Sequence, residues 1–203
     1  MLRRASSLGV CLAAAAAVAC LSAGMAGAKG KLKTKTFSSG NVNRQIPEPV
    51  GIEAFPITSS IRVKPRGRIK DLNVAVRITI PDDRDLEILV TGPTVKGARL
   101  KEHAFRNDPK GADFGAGLAS CAGVPTVFDS QAATSIFHGL PPFLGSFVPS
   151  TPLNGLNGGQ LQGKWTLELL DSFPGNIDGT AGNPGVLNCW QLKIRYRPQR
   201  KRK

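Results

Sequence analysis

Apolar side chains occupy every second position over several separate stretches of the chain. Leu72, Val74, Val76, Ile78 and Ile80 alternate with Asn73, Ala75, Arg77 and Thr79, which predicts a strand with one face in a core and the other in water. Leu86, Ile88 and Val90 repeat the pattern, with Asp85, Glu87 and Thr91 on the wet face. Trp165, Leu167 and Leu169 form a third run. Trp190, Leu192, Ile194 and Tyr196 form a fourth, with Gln191, Lys193, Arg195 and Arg197 outward. Ile61 and Val63 fit a shorter strand upstream. Pro65-Arg66-Gly67, Pro81-Asp82-Asp83, Gly92-Pro93, Asn157-Gly158-Gly159, Pro174-Gly175-Asn176 and Asn183-Pro184-Gly185 stand where such runs should end, and they hold the residue types that turns require. Half-buried strands joined by Gly/Pro turns predict an all-β, antiparallel sandwich or barrel. Residues 104–160 alternate poorly and are expected to form long loops with one or two short strands. No internal repeat is present.

One apolar stretch lacks the alternation. Leu8 to Leu21 follows Arg3 and Arg4 and precedes Ala26-Gly27-Ala28. A charged start, an apolar centre and a small-residue cleavage site predict a secretory signal peptide over residues 1–28. The stretch falls short of the roughly 20 residues that a membrane-spanning helix needs, and no second apolar segment follows. Acylation of Cys20 is the alternative, although Ala17 stands where such sites carry a larger aliphatic residue. The expected organisation is therefore a leader, a basic and flexible lead-in over 29–54 with a possible first strand, one domain over 55–197, and a basic tail over 198–203. The product is expected to be secreted or associated with the cell envelope, with no transmembrane segment left in the mature chain.

Export changes what the cysteines mean. Cys11 and Cys20 leave with the leader, so Cys121 and Cys189 remain. In an oxidising compartment such a pair predicts one disulfide rather than a metal site, with two separate buried thiols as the alternative. Closing so long a loop would stabilise the fold by about 4 kcal/mol. The formal net charge of +13 is concentrated at the ends. Lys29, Lys31, Lys33 and Lys35 lie at one end, and Arg195, Arg197, Arg200, Lys201, Arg202 and Lys203 at the other. Such termini attract polyanions without selectivity, anionic envelope polymers among them, or simply keep the chain soluble. No motif for specific nucleic-acid binding accompanies them.

Candidate chemistry is sparse. A serine nucleophile needs a histidine base held by a carboxylate. His103 and His138 are the only histidines, and no nucleophile motif surrounds Ser120 or Ser135. No hydrolase activity is expected. Calcium needs six to eight oxygen ligands. Asp171, Asn176 and Asp178 share one loop region and Asp129 lies in another, while Asp82, Asp83 and Asp85 cluster at a strand entry. These make Ca2+ the one cofactor to consider, against the commoner role of turn aspartates in capping their own backbone.

Four ordered segments carry a resemblance. The first runs from Gly67 through Asp71-Leu72-Asn73-Val74 to Ile78, a glycine followed by a long strand. The second is Asp85-Leu86-Glu87-Ile88-Leu89-Val90-Thr91-Gly92-Pro93, and the third is Phe128-Asp129-Ser130-Gln131-Ala132. The fourth joins Gly163-Lys164-Trp165-Thr166-Leu167-Glu168-Leu169-Leu170-Asp171 to Gly185-Val186-Leu187-Asn188-Cys189-Trp190-Gln191-Leu192-Lys193-Ile194. Together they resemble the P domain (Homo B domain) of subtilisin-like proprotein convertases, over about residues 55–197. Ser130 departs from the family's second aspartate, which weakens any ion-binding role for that loop. The resemblance implies a single jelly-roll β-sandwich of the galactose-binding-like kind. It gives Gly67, Asp71, Asp85, Asp129, Trp165, Asp171 and Trp190 structural roles, with the two tryptophans on adjacent closing strands. It also implies an accessory module that supports a protease, since the catalytic triad of those enzymes lies in a separate domain. A surface-attached structural protein held by its basic ends is the alternative.

Overall fold

The computed structural model describes residues 31–49, 53–94, 97–103, 111–117, 120–172 and 184–199. The leader, Asn176, Asp178, Arg200, Lys201, Arg202 and Lys203 lie outside the described residues. Within them the chain forms two β-sheets stacked as a sandwich, with short 3-10 turns and no longer helix.

The larger sheet is organised on β11 (Gly185–Pro198), which pairs antiparallel with β4 (Gly67–Thr79) along nearly its whole length. On its other side β11 takes β1 (Lys33–Ser38) and β2 (Arg44–Ile46). Beyond β4 lie β7 (Thr126–Phe128), β9 (Gly145–Val148) and β8 (Thr134–Ser135). The smaller sheet runs β3 (Ile57–Val63), β10 (Gly163–Asp171), β5 (Leu86–Thr91) and β6 (Ala98–Lys101). The alternating apolar positions are the core: Leu72, Val74, Val76, Ile78, Leu86, Ile88, Val90, Leu167, Leu192 and Ile194 are all buried.

The structure differs from the sequence reading in three places. The lead-in, expected to be flexible with a possible first strand, supplies two strands of the sheet, β1 and β2, with β1 in register from Lys33 opposite Tyr196 to Ser38 opposite Gln191. An edge strand with lysines on one face and threonines on the other leaves no apolar stripe to announce it. Residues 104–160 hold three short strands rather than one or two, and β9 runs parallel to both β7 and β8. The larger sheet is therefore mixed, not wholly antiparallel. The tryptophans are on strands consecutive in sequence but in opposite sheets: Trp165 is on β10 and Trp190 on β11.

Their placement fastens the layers together. The Trp190 indole N–H donates to Ser59 Oγ of β3, across the sandwich, at 2.9 Å. Trp165 keeps its N–H local and donates to the Leu161 carbonyl at 3.1 Å. A buried indole needs an acceptor, which accounts for a serine on the inward side of β3 between Ile57 and Ile61.

Candidate functional site

Arg77 was expected to face water, being an outward position of β4. It is buried instead, at 5 % exposure. The reason is a second layer on that face. Phe114 pairs with Ile78 through both backbone hydrogen bonds, and Ala116 pairs in the same way with Val124. This hairpin-like segment carries Cys121 over to Cys189, the register partner of Arg77 on β11. The two cysteines form a disulfide with their Cα atoms 5.3 Å apart, as one of the two sequence alternatives anticipated. Arg77 Nη1 donates to the Ser120 carbonyl at 2.6 Å, holding the segment from below. Gly123 must be glycine, because a Cβ there would collide with the Arg77 guanidinium and the Ala116 carbonyl.

The next segment turns apolar side chains outward. Phe143 is buried, with φ of +51°, stacking on Phe114 at 4.8 Å and meeting Phe147 edge-on at 6.0 Å. Its carbonyl accepts from Thr126 Oγ1, and the Pro142 carbonyl accepts from the Gly115 amide. On this anchored base Phe137, Leu140 and Leu144 stand 44 %, 70 % and 52 % exposed, and Val124 of the stapled segment is 56 % exposed. Grouped exposed apolar residues commonly mark an interaction surface.

The motif residues take structural places. Asn73 donates to Asp129 at 2.8 Å, and Asp129 accepts from the Gln131 backbone at 2.8 Å. The Gln131 amide, oriented by its neighbours, donates to both Asp71 and Asp129. Ser130 Oγ accepts from the Leu153 amide at 2.7 Å and so ties down the turn Leu153–Leu156. Gly67 lies so close to Tyr196 and Arg197 that no side chain would fit. The Asp85 carbonyl accepts from Ser172, next to the strand end at Asp171. Burial, with Asp85 nearby, pushes the Glu48 carboxyl above its ordinary value.

Of the sequence-based calcium set, only Asp129 and Asp171 fall among the described residues. Asp129 follows β7 in one sheet, Asp171 ends β10 in the other, and Asn176 and Asp178 lie outside the described residues. Among the described residues no three His, Cys, Asp or Glu side chains converge. The strand-entry acids are engaged within the protein. Arg84 grips Asp82 through two hydrogen bonds, and Asp83 exchanges bonds with the Gly111 backbone.

Asp83 has a measurable consequence. Burial pushes its carboxyl up to about 6 from 3.8, with the nearby Lys101 charge acting in the opposite direction. The folded state therefore holds a proton that the unfolded chain releases, and stability falls as pH rises from about 3.8 to about 6. In Asp83→Asn that fall should flatten; melting temperatures of both proteins across this range check it, and parallel curves would refute it.

His103 Nδ1 lies 3.1 Å from Glu87 Oε1, and Ser172 Oγ donates to the same oxygen at 3.0 Å. The serine proton is thus directed at a carboxylate rather than at an imidazole. Ser135 caps the turn holding His138, and Ser120 accepts from the Ala122 amide. Of the basic termini, Arg195 is exposed on β11 opposite Asp71, and Arg197 is partly buried. No helix among the described residues is long and apolar enough to cross a membrane. Sequence reasoning missed the buried Arg77 and the outward Phe137, Leu140 and Leu144. The second group did leave a signal, because Leu140-Pro141-Pro142-Phe143-Leu144 is an apolar run in a segment without strand alternation.

No family model matches the chain, nor does any curated protein. Among solved structures it is similar to the Aeromonas sobria serine protease in complex with the chaperone ORF2, with TM-score 0.50 and 17% identity over 83% of this chain and 28% of that one. The same protease crystallised as such gives TM-score 0.49 and 17% identity over 82% and 27% of the two chains. The likeness is one of fold, and this chain spans little more than a quarter of the protease chain.

Proposed function

We propose that this chain is an exported, non-catalytic accessory module of the P-domain kind, which packs against a subtilisin-like serine protease through the surface formed by Phe137, Leu140, Leu144 and Val124. The exposure of Phe137, Leu140 and Leu144 in the segment anchored by Phe143, with Val124 also exposed, carries the reading. A flexible apolar loop would lose entropy on docking, whereas one already held by Phe114, Phe143 and Phe147 loses little. Three lines support the class of partner. The ordered motif set resembles the P domain, the same fold recurs within a serine protease chain, and a disulfide suits the oxidising compartment where exported proteases work. The Ser172–Glu87–His103 arrangement supports the non-catalytic part, since its serine proton is directed at the Glu87 carboxylate and not at the His103 imidazole.

A photo-crosslinker placed at position 137 in the native secretome should capture a protein that a fluorophosphonate probe labels as a serine hydrolase. Leu140→Asp with Leu144→Asp should abolish the capture while leaving the melting temperature unchanged, because both side chains are solvated in the isolated protein. Undiminished capture by the double variant would move the interface elsewhere. Labelling of the purified chain itself by the probe would make it an enzyme and end the proposal.

A further inference from the structure

Positive charge is also built into the fold, away from the two termini. From the end of β3 into β4 every second residue is a cation: Arg62, Lys64, Arg66, Arg68 and Lys70 alternate with Val63, Pro65, Gly67 and Ile69. All five cations are exposed, whereas Val63, Gly67 and Ile69 are buried. Arg62 belongs to the smaller sheet, Arg68 and Lys70 belong to the larger, and Lys64-Pro65-Arg66 is the crossing between them. The cations therefore form a convex band over one end of the sandwich, from the outer face of one sheet to the outer face of the other.

The strand register widens this band. Lys164 stands directly opposite Arg62, and Arg197 directly opposite Arg68. Like charges in such positions are about 5 Å apart at their Cβ atoms and work against the sheet. No acid relieves them, since none of these side chains enters an ion pair among the described residues. The adjoining stretches 158–166 and 196–199 contain neither Asp nor Glu. At the crest, Arg66, Gly67, Gln160, Gln162 and Gln199 line an open polar depression of about 260 Å³. The Gln199 amide donates to the Arg66 carbonyl at 3.2 Å, and from Gln199 the sequence continues as Arg200, Lys201, Arg202 and Lys203.

We propose that this band binds a flexible, linear, phosphate-bearing polymer laid over the end of the sandwich. Charge complementarity sets the sign of the partner, and the guanidinium groups suit phosphate, whose oxygens they meet in pairs. Shape narrows the class. Duplex DNA is stiff over about 50 nm and cannot follow a band that turns over the end of a small domain. Single-stranded nucleic acid is held by stacking its bases on aromatic side chains, and the band presents none: Tyr196, next to Arg197, is buried. The band is independent of the protease docking surface, so the two readings stand or fall separately.

The test titrates the exported chain with labelled long-chain inorganic polyphosphate between about 50 and 200 mM salt, with anisotropy as the readout. Binding should be saturable, and log K should fall linearly with log salt as counterions leave the polymer. Arg62→Gln, Lys64→Gln and Lys70→Gln combined should lower that slope by about 2, at about 0.7 for each cation removed, and weaken binding at least about tenfold at the lower salt. These three side chains make no hydrogen bond or ion pair among the described residues, so the melting temperature should not fall. A control with the same loss of charge elsewhere, Lys35→Gln, Arg44→Gln and Arg99→Gln, should leave the slope nearly unchanged. Equal losses in the two variants would reduce the attraction to net charge, and an unchanged slope in the band variant would leave it to the termini; either result overturns the proposal. Duplex or single-stranded DNA binding as tightly as polyphosphate, at equal phosphate, would make the band a nucleic-acid surface and overturn it too. So would the absence of saturable polyphosphate binding at the lower salt.

Discussion

Replacing both bridge cysteines, Cys121→Ser with Cys189→Ser, is expected to destabilise the protein by about 4 kcal/mol in the chain-entropy model, a fall in melting temperature of roughly 10 °C for a domain of this size. The large value follows from the 68 residues between the cysteines, since a longer loop leaves the unbridged unfolded chain more freedom. A folded-state contribution adds to this. The bridge holds Cys121 and the adjoining Ser120 against Arg77, and without it the Ser120 carbonyl must be held by Nη1 alone. Hydrogen exchange should therefore show more than a uniform loss. The amides of Ala116 and Val124, bonded to each other's carbonyls, should open first, while those of β10 should follow global unfolding. A melting temperature within a degree or two of wild type would show that the bridge constrains neither state, and the stapled segment would then lose its place in this account.

The strands that line the core were legible because their environment has two sides. Val74, Val76 and Ile78 face the opposite sheet, so the alternation in sequence copies the alternation of surroundings. The same rule misplaced Arg77, because the outer face of β4 is not wet at that end. What covers it arrives from residues 114–117 and 120–125, distant in sequence and fixed to the sheet by a disulfide and by the two backbone hydrogen bonds between Phe114 and Ile78. Local periodicity carries no information about a cover supplied from elsewhere. β1 was hidden for a different reason: an edge strand held by backbone hydrogen bonds has no need of apolar side chains. The Asp71–Gln131–Asp129 contacts stayed invisible in the sequence because they join side chains of two separate segments. Ser130, a departure from the resembled pattern, could be seen as a lost carboxylate but not as the acceptor for Leu153. For the candidate site, sequence supplied the cysteine pair and an unexplained apolar run, whereas the burial of Arg77 depends on two segments meeting in space.

Trp190→Ala is expected to cost about 3–5 kcal/mol, comparable to the disulfide, through a folded-state mechanism. Trp190 is fully buried on β11, and its removal would leave a void between the sheets that rigid neighbouring strands fill only in part. The same indole reaches across the sandwich to Ser59, so two terms are lost together and must be separated. Trp190→Phe keeps much of the volume and removes the N–H donor; Ser59→Ala removes the acceptor and leaves the indole N–H buried. In a double-mutant cycle these two should couple by about 1 kcal/mol, the net worth of one neutral hydrogen bond. Trp165→Ala should match the alanine cost, yet show no coupling to Ser59, because its N–H is satisfied by Leu161 within the same stretch of chain. Denaturant titrations of these variants give each quantity. Zero coupling between Trp190 and Ser59, beside an unchanged cost for the two alanines, would mean that packing alone joins the sheets and that the inward serine of β3 serves some other need.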